Sequence, residues 1–160
     1  MKKTFEMTGV HTLGALMTAR WRNEMLNTSL WIAQWLAAVT FTLTGALKVI
    51  FPREKLAPRM HWAAGWPRGR IKLLGLAELL GAVGLVAPQV TGIAPLLTPL
   101  AAVCLAALMA GAARTHRRLG ESPVPPVVIG AVCLCVAAGR LMAGTHVDVT
   151  ELAAGCASFS

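Results

Sequence analysis

The chain has 160 residues, long enough for one domain, of which 56% are hydrophobic and only 14% charged. A soluble domain carries roughly 25% charged residues, so the composition excludes an ordinary soluble fold and indicates an integral membrane protein. The net charge of +8 lies in short segments between apolar runs rather than along one polar face; this argues against a nucleic-acid partner and for loops beside an anionic leaflet.

Residues 1–28 begin MKKTFEM, but no apolar core with a small-residue cleavage site follows, so no cleaved signal peptide is expected. Phe5, Val10, Leu13, Leu16, Met17 and Trp21 form a rough one-sided pattern. Three readings are open for this extension: an interfacial amphipathic helix, a disordered arm, or residues upstream of the true start, since Met25 begins MLNTSLWIAQWLAA.

Four apolar runs follow, at 30–51, 71–87, 92–113 and 124–143. A helix rises ~1.5 Å per residue and the hydrocarbon core is ~30 Å thick, so about 20 residues cross it. Backbone polar groups cannot stay open in lipid, so each run is expected to be a helix. Pro125 and Pro126 lie at a helix start, and Pro52 and Pro88 read as stops. The second run is short and is expected to borrow flanking residues. The fold expected is all-α: an up-down transmembrane four-helix bundle over 29–143, with a tail at 144–160.

Connections are short. Gln89–Thr91 separates the second and third runs, which makes them a tight antiparallel pair. The longest connection, 52–70, places Trp62 and Trp66 among basic residues, the interfacial pattern. This connection and 114–123 hold eight basic residues: Arg53, Lys55, Arg59, Arg68, Arg70, Arg114, Arg117 and Arg118. The positive-inside rule puts both loops in the cytoplasm of a plasma (bacterial inner) membrane, with the termini outside. Arg20 and Arg22 pull the other way.

Small residues recur at helical spacing. Gly75, Gly81 and Gly84 give the second span a narrow surface that admits neighbouring helices, within the bundle or across a homodimer. Cys133 and Cys135 are two apart, about 200° around a helix, and do not face each other as a dithiol would. No metal-ligand spacing is seen.

Polar groups inside a membrane are where function is expected. Lys48 lies near the loop-side end of the first span, Glu78 seven residues into the second, and Arg114 and His116 at the loop-side exit of the third. All four share one half of the bilayer. Gln34 and Arg140 belong to the other half. Three fates are open to Glu78: an ion pair with Lys48, a protonated carboxyl, or a wall of a wet cavity. Lys48 could equally snorkel to the headgroups. His116 reads as an interfacial residue or a proton carrier, and Glu121 as a loop charge.

The runs WIAQWLAAVTFTLTGALKVI, IKLLGLAELLGAVGLVAP and GIAPLLTPLAAVCLAALMAGAARTHRRLGE, with a last span ending GRL, resemble the DoxX-like family of small four-helix membrane proteins. The residues that carry the likeness are Gly45 with Lys48, Gly75 with Glu78, Gly81, Gly84, Pro88, His116, Glu121 and Arg140. The resemblance implies one of two roles. One is an accessory module of a membrane redox system, binding a quinone or similar lipophilic ligand. Glu78 and His116 would then relay protons, with Lys48 and Arg114 as ligand or ion-pair groups. The other is a non-catalytic assembly factor or scaffold for a partner membrane protein. The chain carries no dinucleotide fingerprint, haem-ligand pair or CxxC of its own, so electrons would come from a partner oxidoreductase.

Overall fold

The computed structural model describes residues 2–56 and 65–157, and among them the secondary structure is helical throughout, with no strand. The helices are α1 (Lys2–Ile50), α2 (Arg53–Leu56), α3 (Arg68–Thr91), α4 (Leu97–Arg118) and α5 (Val124–Ala157). Four stretches are long and apolar enough to cross a membrane: Arg20–Ile50, Arg68–Thr91, Leu97–Arg118 and Val124–Ala143. The chain divides into two compact units, Met1–Ile32 and Ala33–Ser160.

The first unit is helical backbone from Lys2. Its described side chains bond along the helix: Arg20 Nε to Glu24 Oε1 at 3.1 Å, and Thr28 Oγ1 to the Glu24 carbonyl at 2.9 Å. The expected one-sided pattern of Phe5, Val10, Leu13, Leu16 and Met17 lies outside the described side chains, as do Trp62, Arg59 and Cys156.

The second unit holds the bundle. The sequence reading ends the second span at Pro88; α3 instead runs through Pro88 to Thr91 and begins at Arg68. Proline removes one N–H and crowds the carbonyl four residues back, here Gly84. Within a membrane bundle such a break is tolerated when a neighbour supplies the missing donor. Gln34 of α1 packs against this turn, its Nε2 donating to the neighbouring Leu85 carbonyl at 2.6 Å. The helix ends at Gly92, whose φ of 70° is the left-handed cap conformation that glycine adopts without strain.

The third span also shifts, from the expected 92–113 to Leu97–Arg118. Gly92 and Ala94, both at positive φ, turn the chain first. Pro95 then precedes the helix, and Pro99 sits in its first turn, where no N–H is required. At the other end, His116, Arg117 and Arg118 stay helical, because basic groups favour a helix C-terminus. A Schellman motif closes α4: Glu121 N–H reaches the His116 carbonyl at 2.9 Å, and Gly120, at φ 71°, provides the reversal.

Close approaches give the order of the helices. A Cβ on Gly75 would lie 2.8 Å from the Gly45 carbonyl oxygen, and one on Gly45 would lie 2.8 Å from that of Gly75. The α1 and α3 backbones therefore touch there. Gly81 and Gly84 admit α4: their Cβ positions would meet Leu105 at 2.5 Å and Ala101 at 2.9 Å. Gly130 brings α5 against Met109 of α4, and Arg140 of α5 bonds Gln34 of α1, which completes the circuit. Between the helices lies a core that includes Phe41, Leu85, Leu105, Cys133 and Val136. Large apolar side chains such as Leu36, Leu43, Leu80, Val83 and Leu100 point outward, as they would into lipid.

Candidate functional site

Glu78 is 1% exposed and ten residues into α3, roughly 15 Å along the helix axis from its loop-side end. The carboxylate is held by side chains of α1 on both oxygens. Lys48 Nζ donates to Oε1, and Thr44 Oγ1 donates to Oε2 at 3.0 Å. Thr44 and Lys48 stand one turn apart on α1, so they share a face. Lys48 is buried too, although it lies in the last turn of its helix. It turns inward to the carboxylate rather than outward to the headgroups, because the Gly45–Gly75 contact brings its Cβ close to α3. A buried ammonium–carboxylate pair with a further hydroxyl donor meets the main requirement for burying charge, which is that both partners be satisfied.

This pair borders a cavity of about 420 Å³ at the loop-side end of the bundle, a volume in the range of ligand pockets. Along α4 its wall runs from Ala107 to His116, nine residues and so about 14 Å. Polar groups converge on it from three helices: Thr44 and Lys48 of α1, Glu78 of α3, Thr115 and His116 of α4. The rest of the lining is apolar, including Phe41, Leu74, Leu108, Met109 and Ile129, with Trp66 contributed by the connection before α3. Gly111 keeps the space open, since a Cβ there would meet nothing within 4 Å.

The structure brings together Lys48, Glu78 and His116 on this wall. His116 is not bonded to Glu78: its Nδ1 lies 2.6 Å from Glu121 Oε2, with both side chains under a third exposed. Glu121 is thus the partner of His116 at the cavity's edge, not a detached loop charge. Arg114 is exposed and lies outside both the cavity lining and the Glu78 pair. Gly75, Gly81 and Gly84 serve the helix approaches described above.

The sequence reading missed Thr44 and Trp66. The spacing Thr40, Thr44, Lys48 carried a signal for Thr44, as a polar stripe at one-turn intervals in an apolar helix. Trp66 stood out only as an interfacial indole among basic residues, with nothing local to mark it as part of a cavity wall. In the opposite half, Gln34 and Arg140, set apart as outside the cluster, form a layer of their own. Arg140 Nε donates to Gln34 Oε1 at 2.6 Å, and both residues are buried.

Fold and site together define a small multi-pass helical membrane protein with an intramembrane carboxylate–ammonium pair beside an apolar cavity. Residues 32–154 match the model of the DoxX-like family, and the chain belongs to that family. No curated protein and no solved structure matches it.

Proposed function

We propose that the cavity binds a quinone or a similar flat, lipophilic carbonyl compound, and that the protein serves as an accessory module of a membrane redox system. The observation that supports this is that Glu78, Lys48 and His116 line one largely apolar cavity. An apolar cleft with a few convergent polar groups is the usual form of a small-molecule site. Reduction of a quinone to a quinol takes two electrons and two protons. The electrons come from a partner membrane oxidoreductase, through its own cofactors. The protons enter from the loop side, at His116 and Glu121, and pass across the cavity to the ligand's oxygens. Lys48 donates to one ligand oxygen, and Glu78 exchanges the proton deeper in. The 52–70 and 114–123 loops are cytoplasmic in this reading, as their basic residues favour.

A second reading is favoured by the saturation of Glu78, both of whose oxygens are already held. In it the pair only locks α1 to α3, and the bundle is a scaffold for a partner membrane protein. A binding experiment separates the two. Decylubiquinone titrated into detergent-solubilised protein is expected to quench the fluorescence of Trp66, assigned by difference from Trp66→Phe. Gly111→Phe, which fills the cavity, is expected to weaken that binding at least tenfold without lowering the melting temperature. Absence of quenching, or unchanged affinity in Gly111→Phe, would overturn the quinone reading.

A further inference from the structure

A second, smaller cavity of about 150 Å³ lies where the end of α1 meets the start of α3. Its lining includes Lys48, Arg68, Lys72, Ile50, Phe51 and Ile71. We propose that this is a binding site for a phosphate group, supplied by the headgroup of an anionic phospholipid in the loop-side leaflet.

Three cationic side chains and no acidic one line this cavity. Lys48 is engaged by Glu78. Arg68 bonds Glu54, but that pair is exposed, at 68% and 61%, and exposed pairs are weak and readily exchanged. The phosphodiester of a phospholipid offers the guanidinium the same two-pronged acceptor geometry and the same single charge as the carboxylate. Lys72 is exposed and has no ion pair among the described residues. Ile50 and Phe51 are exposed beside these cations, at the point where α1 leaves the apolar layer. This places acyl-chain contacts directly beneath headgroup contacts. Basic pockets between membrane helices at headgroup depth are sites for anionic lipid headgroups. Lys48 lines both cavities, so the two sites share a residue.

The test is thermal unfolding of the full chain in dodecylmaltoside micelles doped with phosphatidylglycerol or phosphatidylcholine. Phosphatidylglycerol is expected to raise the melting temperature and phosphatidylcholine is not. Each basic residue at a membrane surface is worth roughly fivefold in affinity for anionic lipid, so Arg68→Gln/Lys72→Gln should weaken the lipid effect about 30-fold. Arg117→Gln/Arg118→Gln, which removes two exposed charges from the other loop, should leave it in place. No stabilisation by phosphatidylglycerol, or equal loss in both double variants, would overturn the proposal, since the second result means diffuse surface attraction. Millimolar inorganic phosphate distinguishes the source of the group. A shift with phosphate alone, removed by Arg68→Gln/Lys72→Gln, would overturn the lipid assignment in favour of a free anion.

Discussion

In the loop-side half of the bundle Glu78 is held by two side chains, Lys48 and Thr44; in the opposite half Gln34 is held by one side chain, Arg140, and by the backbone carbonyl of Leu85. Both layers are buried, and both tie α1 to α3. They differ in what their partners can do. A lysine or threonine side chain can rotate away and return, so Glu78 can exchange its bonds with something in the adjoining cavity. The Leu85 carbonyl is backbone held in place by its helix, so the bond Gln34 makes to it has no partner that can rotate away. Burial of polar groups in a membrane therefore has two forms here: one that can open toward a cavity, and one that links three spans through a fixed backbone acceptor.

The largest effect expected is from breaking the contact on which the loop-side layer is built. Gly75→Leu would drive a side chain into the Gly45 backbone and Lys48 Cβ, neither of which can move as a side-chain tip could. Loss of monodisperse protein on size exclusion is expected. Gly81→Ala should be far milder, because its Cβ would meet the flexible end of Leu105.

Next in size are the single changes that take a partner from a buried charge. Lys48→Met leaves Glu78 without its cation, and Gln34→Leu takes from Arg140 its Gln34 acceptor. Lys48→Met should cost on the order of 3 kcal/mol and Gln34→Leu about 2 kcal/mol, read as a lower melting temperature or denaturation midpoint. The two layers should then diverge in their rescue. Lys48→Met/Glu78→Leu should recover most of the stability while ending decylubiquinone binding, as should Gln34→Leu/Arg140→Leu for stability while leaving binding intact. If both doubles behave alike in binding, the functional distinction between the layers fails.

A smaller effect is expected from Glu121→Gln. The pair with His116 is partly exposed, so its loss should cost about 1 kcal/mol or less. Its expected signature is a changed pH dependence of partner-driven quinone reduction, with little change in melting temperature. The smallest stability effect is expected for Arg68→Gln, since its pair with Glu54 is in solvent; a loss above about 1 kcal/mol would contradict the exposed geometry.

Much of this architecture could be read from the chain. Run lengths and proline positions predicted four spans. Counting residues from the span ends placed Lys48, Glu78 and His116 in one half of the bilayer and Gln34 and Arg140 in the other. The same counting went astray at Pro88 and at the start of α4. A helix interior can accept a proline when the surrounding bundle holds the helix, and the contact that Gln34 makes beside this break comes from 51 residues away in sequence. Likewise nothing local signalled that Trp66 would close a wall of the cavity, or that Glu121 would bond His116.

The sequence by itself determined the class of the protein and the position of each polar group along its span. Hydrophobic length is a local property, and a helix advances by a constant rise, so position along the chain converts directly to height in the membrane. Only the tertiary structure decided which groups at one height face each other. Rotation about each axis and the order of the helices depend on where backbones can approach, at Gly45 with Gly75 and at Gly84 with Ala101. Those contacts turned Lys48 and Thr44 onto Glu78, joined Gln34 to Arg140, and left the space beside Gly111 open.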